Sequence, residues 1–382
     1  MQRWMAAALV LAAAIGWLAH SPPITTAQPK GGSLPEAFMT PDGMELIGLF
    51  HPTRNAKDNK PSEAPVVVFL YPPGIDQDMT KGDWASLAKK LNDNGYHVFQ
   101  FDWRGHGKSK NIKDKEKFWG NNYLNRGQLS FNKYIRGGPP KMPLKGDLDI
   151  KDLGTNAARY MPAYLNDLAG VRFLLDTKND KGELNASTIY VVGAGDAAAL
   201  GFAWLAAEWK RPQVAPNVNQ LGIGIPRYEY VPQPLVGGVF NEAGNDYGGA
   251  VWLTASRPPS FPEALIKRWV ADQQKIRDNN PMLFLYAEKD TKGRADSSFY
   301  FDQVLVAKPR KGSNLTELAQ TFMHDVKGSE KLQGVKLLGE KTENNIVEYF
   351  SAIQKTRARI AAKPREYKDL YFIDVLLLGL RP

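Results

Sequence analysis

The stretch Thr188-Ile-Tyr-Val-Val-Gly-Ala-Gly-Asp-Ala-Ala-Ala-Leu-Gly201 lies near the middle of the 382-residue chain. It begins with β-branched and aromatic residues, passes through two glycines and continues into alanine and leucine. Such an apolar run predicts a buried strand, the glycines predict a sharp turn, and the alanine-rich segment predicts a helix that ends near Trp209. We therefore expect the chain to be organised around a strand, a tight turn and a helix.

Two kinds of functional site have this shape. One is the Gly-x-Ser-x-Gly turn that presents a nucleophile, and the other is the Gly-x-Gly-x-x-Ala turn that binds a dinucleotide. The segment that starts at Gly193 and Gly195 fits the second pattern. A dinucleotide site also needs a strand that ends in Asp or Glu about 20 residues later, and the region around Ala215 contains neither. Dinucleotide binding through the two glycines stays as an alternative.

The composition excludes several classes of protein. The chain is 43% hydrophobic and 23% charged, which is typical of a globular domain, and it has no cysteine for disulfides or a thiol nucleophile. Its net charge is +9, but lysine and arginine are mixed with acidic residues, which predicts a solvated surface and no nucleic-acid binding. Asp147, Asp149 and Asp152 lack the glycine and the glutamate of a calcium loop. We expect no metal and no cofactor.

The first 27 residues differ from the rest of the chain. Arg3 precedes an uncharged apolar run from Trp4 to Ala19, and small residues end this region at Ala27. This order predicts a secretory signal peptide over 1–27, followed by one domain over 28–382. The mature protein is then expected to be exported, periplasmic or extracellular. An uncleaved N-terminal membrane anchor is the alternative, and no other membrane contact is expected.

The segment Asp102-Trp-Arg-Gly-His-Gly-Lys-Ser109 follows a predicted strand over 96–101. The pattern Asp-x-Arg-Gly-x-Gly-x-Ser, together with the strand-turn-helix at 188–209, resembles the α/β-hydrolase superfamily. The resemblance implies hydrolysis of esters, amides or related bonds. Predicted strands also alternate with helices, which indicates an α/β fold with a mostly parallel central sheet and helices on both faces. Two insertions are expected, at about 110–155 and at about 210–245, and the second could form a cap.

The resemblance assigns positions to a catalytic triad, and two of them hold unsuitable residues. The nucleophile position falls on Gly195, which has no side chain, although glycine adopts the strained turn at little steric cost. The acid position falls on Asp290, after an apolar run. The base position falls on Gln333 in one register, while His324 is the other candidate. Glutamine cannot accept a proton near neutral pH.

The resemblance also places an oxyanion donor in the loop after the second strand. That position falls on Pro73, which has no N–H, so the donor shifts to Gly74 or Ile75, or is lost. We therefore expect a catalytically degenerate α/β-hydrolase, a pseudoenzyme that binds an unknown small molecule or protein in its cleft. The alternative is an active hydrolase that forms an aspartyl ester at Asp196, with His324 activating water and Asp290 orienting it.

Overall fold

A computed structural model gives the structure of the chain. It describes residues 32–53, 55, 60–120, 131–138, 144–211, 215–217, 227–229, 243–306, 320–357, 360–363 and 371–382. The predicted signal peptide over 1–27 and most of the predicted cap over 210–245 lie outside these residues. Residues Ser33–Pro382 form one compact unit. None of the helices in the described ranges is long and apolar enough to span a bilayer.

The strands are β1 (Leu34–Met39), β2 (Glu45–His51), β3 (Pro65–Leu70), β4 (His97–Phe101), β5 (Asn185–Ala194), β6 (Ala215–Asn217), β7 (Arg227–Glu229), β8 (Tyr247–Leu253), β9 (Met282–Ala287) and β10 (Phe322–Val326). Eight of them form the central sheet, in the order β1-β2-β4-β3-β5-β8-β9-β10. Strand β2 pairs antiparallel with both of its neighbours, and every other pair in this sheet is parallel. Strands β6 and β7 form a separate antiparallel pair. The predicted α/β fold with a mostly parallel sheet is confirmed.

The helices connect these strands. The α-helices are α1 (Trp84–Asp93), α2 (Lys115–Trp119), α3 (Ala157–Tyr160), α4 (Leu165–Asp180), α5 (Ala197–Lys210), α6 (Glu263–Asp272), α7 (Lys275–Asn279), α8 (Thr291–Ser298) and α9 (Glu340–Thr356). Shorter 3-10 turns are Pro61–Glu63, Ile150–Asp152, Gly154–Asn156, Met161–Tyr164, Ala243–Asp246 and Gly334–Leu337, and Phe299–Val304 is a π-helix. Helix α1 contacts β4 and α9, whereas α4 contacts β1, β5 and α5. The helices thus pack on the sheet in two groups.

Sequence and burial explain the main elements. Every residue of β5 is buried, as expected for a central parallel strand covered on both faces. Helix α1 buries Trp84, Leu87, Ala88 and Leu91, which recur at helical spacing on one side. The chain then turns at Gly95, whose φ of +86° is readily adopted only by glycine.

Two sequence-based expectations were wrong in detail. The sequence over 264–276 predicts one helix, but Gln273 has non-helical backbone angles (φ −130°, ψ 75°), so α6 and α7 are separate helices. The polar sequence of the expected insertion over 110–155 predicts a loop, but this segment contains α2 and buries large apolar side chains, including Phe118 and Phe131. These side chains join the main core, and the described part of this insertion is therefore packed structure.

Candidate functional site

The turn between β5 and α5 forms the centre of the site. Gly195 has a φ of +55°, in the left-handed region that other residues rarely adopt. Its N–H donates to the carbonyl of Leu253 at 3.0 Å, and its carbonyl accepts from the N–H of Ser256 at 3.3 Å. A Cβ atom built on Gly195 would lie 3.5 Å from the Cβ of Pro72, an ordinary contact. The turn therefore has the strained backbone of a nucleophile elbow and room for a side chain.

Asp290 lies just beyond the end of β9 and is 5% exposed. Its Oδ1 accepts hydrogen bonds from the N–H of Gly293 at 2.9 Å and from Nε2 of Gln333 at 2.8 Å. Its Oδ2 is buried and has no partner among the described residues. A Cβ on Gly293 would lie 2.3 Å from this Oδ2, so a larger residue at position 293 would displace the carboxylate. Asp290 thus keeps one acceptor atom unused beneath the site.

Gln333 reaches Asp290 from the loop before the 3-10 turn Gly334–Leu337. A Cβ on Gly334 would lie 4.0 Å from the Cβ of Ala194, which places this loop beside the end of β5. The side chain of Gln333 donates to Asp290 through its amide nitrogen. The partner of the buried carboxylate in this structure is therefore an amide, which has no basic nitrogen.

His324 lies elsewhere. It occupies the middle of the edge strand β10, where it pairs with Leu285 of β9, and its side chain is partly buried. Within the described ranges it forms no hydrogen bond to Asp290 or to Asp196. The structure thus brings Gln333 to the acid position and does not join His324 to it.

Asp196 immediately precedes α5, but its side chain makes no capping hydrogen bond to the helix. The hydroxyl of Ser256 donates to its Oδ1 instead. The carbonyl of Ser256 accepts from the hydroxyl of Tyr300 at 2.8 Å, and burial, helped by the charge of Asp196, raises the pKa of this tyrosine. Asp196 is therefore held by a serine, and no histidine in the described part of the chain lies at hydrogen-bond distance to support an aspartyl ester. Sequence reasoning missed Ser256, although it follows β8, where the carboxyl ends of parallel strands meet.

The loop after β3 carries the expected oxyanion donors. Pro73 has no N–H, and the N–H of Gly74 donates to Nε2 of His106 at 3.1 Å. The other ring nitrogen, Nδ1, lies 2.9 Å from the carbonyl of Arg104, so we assign the proton to Nδ1. Burial lowers the pKa of His106, which favours this neutral form. The donor that sequence reasoning assigned to Gly74 is therefore already used, by a histidine to which that reasoning gave no role.

The segment Asp102–Ser109 shapes the same loop from beneath. Both carboxylate oxygens of Asp102 accept backbone hydrogen bonds, from Met79 at 2.8 Å and from Lys108 at 2.9 Å. A Cβ on Gly107 would lie 2.1 Å from Asp102, so glycine is required there. This segment fixes the loops beside the site by hydrogen bonding.

Arg104, in the same segment, forms a buried ion cluster. Its Nη1 lies 2.5 Å from Asp42 and its Nε lies 2.7 Å from Asp167, and all three side chains are fully buried. The guanidinium thereby ties β4 to the turn after β1 and to α4. Breaking a buried ion pair of this kind typically costs about 3–5 kcal/mol. Arg104 therefore has a structural role in the segment Asp102–Ser109.

A cavity of about 210 Å³ adjoins the oxyanion loop, with His106 in its wall. Asp76, Asp78, Lys81 and Lys110 also line it, so charges of both signs are present. No group of three or more potential metal ligands occurs among the described residues.

The dinucleotide alternative finds little support in the strand order. The expectation that the region around Ala215 contains no strand was wrong, since it forms β6, but among the described residues β6 pairs with β7 outside the central sheet. The strands beside β5 are β3 and β8, and β8 ends at Leu253 and not at an acidic residue.

Comparisons with known proteins agree with this architecture. Residues 67–180, less than half of the chain, match the model of the alpha/beta hydrolase fold family, and this part of the chain is similar to that family. A search of the curated proteins finds no match.

Three solved structures are similar. An esterase from Pyrococcus furiosus is 13% identical with a TM-score of 0.42, and the match covers 84% of this chain and 91% of that one. A dienelactone hydrolase from Anabaena variabilis is 11% identical with a TM-score of 0.44, covering 84% and 95% of the two chains. A predicted CIB-like hydrolase from Thermoplasma acidophilum is 12% identical with a TM-score of 0.40, covering 83% and 98%. Values this low say nothing about the reaction of this chain.

Proposed function

We propose that the protein is an exported, non-catalytic α/β-hydrolase that binds a small molecule or a partner protein at the carboxyl ends of its central strands. One observation carries this proposal. The elbow keeps the left-handed backbone at Gly195, with space for a side chain, but the residue there has no nucleophilic atom.

The surroundings of Asp290 support the same conclusion. A hydrolase of this kind needs a base that can take the proton of its nucleophile, and the group on Asp290 is the amide of Gln333. An amide nitrogen can hold the carboxylate in place and can hydrogen-bond a ligand, but it cannot shuttle a proton near neutral pH. The geometry of the acid position is thus kept without a base.

The oxyanion loop gives independent support. Stabilising a developing oxyanion needs N–H groups that point at it and are not engaged elsewhere. Pro73 supplies none, and the N–H of Gly74 is bonded to His106. Loss of one such donor typically slows catalysis about a hundredfold or more. The site therefore lacks a nucleophile and a base, and the N–H group expected to bind an oxyanion is already hydrogen-bonded to His106.

The rim of the site suits binding. Five large apolar side chains are exposed in the described residues, and two of them adjoin the site. Ile75, next to Gly74, is 52% exposed, and Leu332, next to Gln333, is 45% exposed. Exposed apolar groups around a polar centre are typical of binding surfaces. We infer that the occupant presents an apolar group to this rim and a hydrogen-bonding group to Gln333 or Asp290.

Export completes the proposal. It rests on the order of charge, apolar run and small residues over 1–27, which is that of a secretory signal. Fractionation of cells that produce the full chain, with mass spectrometry of the mature N-terminus, tests it. A mature chain that starts near Gln28 is expected, and an intact N-terminus in the membrane fraction would instead indicate an anchor.

Hydrolysis assays test the loss of catalysis. We expect the chain from Gln28 to hydrolyse activated esters no faster than buffer does. A double variant, Gly195→Ser with Gln333→His, serves as the control, because it restores a nucleophile and a base to the same scaffold. Turnover by the unmodified chain that is abolished by Asp196→Asn or by Asp290→Asn would overturn the proposal and establish an active site.

A further inference from the structure

A second cavity lies at the opposite edge of the sheet from the elbow. It has a volume of about 380 Å³ and lies at the amino ends of β3 and β5, between the last turns of α1 and α9. We call it the amino-end cavity. Its wall includes Asn55, Asn94, Tyr190, Gln354 and Arg357. A volume of this size falls in the range of small-molecule sites in proteins.

Tyr190 supplies an unused hydrogen-bonding group to this cavity. The side chain is 0% exposed, and its hydroxyl has no hydrogen-bond partner among the described residues. Buried hydroxyl groups are nearly always hydrogen-bonded, because leaving one without a partner costs free energy. Tyr190 lines the cavity, so this hydroxyl has unmet hydrogen-bonding capacity within the cavity wall.

Arg357 supplies a positive charge without a carboxylate partner. Its one hydrogen bond within the described residues goes to the backbone carbonyl of Asn245, and no described Asp or Glu lies within ion-pair distance of its guanidinium. Burial lowers the pKa of Arg357, although the nearby Asp246 opposes this shift. Arg357 is partly exposed in the cavity wall, and a guanidinium there without a carboxylate partner favours binding of an anion through charge-assisted hydrogen bonds.

The rest of the wall is compatible with an anion. Oε1 of Gln354 already accepts from the hydroxyl of Tyr96 at 3.1 Å, which leaves the amide N–H groups of Gln354 to donate. The acidic residue in the wall, Glu63, is balanced by Lys60 at 3.5 Å. Donor groups from Tyr190, Gln354 and Arg357 thus line one cavity.

We propose that the amino-end cavity binds a small molecule through a carboxylate or phosphate group, held by Arg357 and Tyr190. This inference does not depend on the proposed function, since the elbow lies at the other ends of the same strands. A ligand here would link α9 to the start of β5 and would stabilise the fold by mass action.

Calorimetric titration with two probes, inorganic phosphate and acetate, tests the proposal. The chain from Gln28 is used, and sodium chloride keeps the ionic strength constant so that screening does not change. We expect saturable binding of at least one probe at millimolar concentration. Arg357→Met should abolish it, and Tyr190→Phe should weaken it about tenfold, since a hydrogen bond to a charged group is lost.

Matched variants separate binding from folding. Lys355→Gln removes one positive charge from the exposed side of the same helix and should leave the affinity unchanged. Tyr190→Phe should not lower the free energy of unfolding without ligand, because the hydroxyl has no partner to lose. The proposal is overturned if neither probe binds saturably, or if binding is as tight in Arg357→Met and Tyr190→Phe as in the unmodified chain.

Discussion

Two neighbouring glycines at the elbow meet different constraints. Gly195 has a positive φ and open space beside it, whereas a Cβ on Gly193 would lie 2.6 Å from the ring of the buried Trp252. A side chain at position 195 therefore strains only the backbone, whereas a side chain at position 193 collides with the core. The turn is tightly packed at Gly193, so the space for a side chain is confined to Gly195.

This difference predicts the stability of two alanine variants. Gly195→Ala should lower the free energy of unfolding by roughly 1–2 kcal/mol, the cost of a left-handed backbone for a residue with a Cβ. Gly193→Ala should lower it by about 3 kcal/mol or more, because Trp252 must shift. Denaturation in guanidinium chloride measures both values. A smaller loss for Gly193→Ala than for Gly195→Ala would contradict the packing described here.

The hydrogen bond from Gln333 to Asp290 predicts how substitutions at position 333 change stability with pH. Gln333→Ala removes one hydrogen bond from the buried Asp290 and should cost about 1 kcal/mol at neutral pH. Gln333→Glu should cost more there, because two carboxylates then face each other, and this extra cost should shrink as the pH falls and the introduced glutamate takes a proton. The control is Gln274→Glu at an exposed position, which should show no such recovery. Urea denaturation at several pH values gives the comparison.

At the scale of elements, His97 joins β4 to two loops. Its Nδ1 accepts from the N–H of Thr53 at 3.1 Å, and its Nε2 lies 3.0 Å from the carbonyl of Pro61. Both ring nitrogens are thus used in the neutral form. Burial lowers the pKa of His97 from 6.5 to about 4. Protonation would break the bond to Thr53, so this junction depends on a neutral ring.

The lowered pKa predicts how stability changes with pH. Between pH 6.5 and about 4 the unfolded chain binds a proton at position 97 that the folded chain does not, so stability should fall as the pH falls through this range. The neutral ring of His97 should contribute about 3 kcal/mol to the free energy of unfolding above pH 6.5, and this contribution should be lost as the pH falls to about 4. Unfolding free energies measured from pH 4 to pH 8 should show a shallower slope for His97→Asn. An unchanged slope would mean that His97 is not neutral and buried in solution.

The sequence was sufficient for elements with a strong local pattern. The apolar run before Asp290 predicts a strand over 282–287, and β9 has those bounds because the run is uninterrupted. Strands β1 and β10 were not predicted, since both are edge strands with mixed composition and are defined by pairing with a neighbour. Because β10 was not predicted, the position of His324 within this strand was not predicted either.

The candidate site shows the same division. The positions of Gly195 and Asp290 follow from local patterns, a glycine turn after one strand and an acid after another. The contacts of Ser256 and His106 depend on loops that meet only in the folded chain. Spacing along the sequence carries no information about such contacts.

At the scale of the whole molecule, the C-terminal segment closes the core. Ile373, Val375, Leu378 and Leu380 are each at most 3% exposed. The backbone of Ile373 exchanges two hydrogen bonds with Asn166 of α4, and the indole of Trp269 donates to the carbonyl of Leu378 at 2.8 Å. The last dozen residues are therefore part of the fold.

Truncation tests this role. Removing residues 371–382 should expose four buried side chains worth roughly 1.5–3 kcal/mol each, which is comparable to the whole stability of a typical domain. We expect the shortened chain to be unfolded or rapidly digested by protease at 25 °C, where the full chain resists. Removing only Arg381 and Pro382, which are exposed, should have little effect. A stable fold without residues 371–382 would show that the segment is dispensable.

The strand order has a consequence for the growing chain. Strand β3 lies between β4 and β5, and its first residue, Pro65, pairs with Asn185, 120 positions later (185 minus 65). At typical synthesis rates this interval takes on the order of 10 s, during which one side of β3 has no partner strand. An apolar strand with an open side is a site for aggregation. The centre of the sheet is thus completed late in synthesis, and until then it must be shielded from other chains.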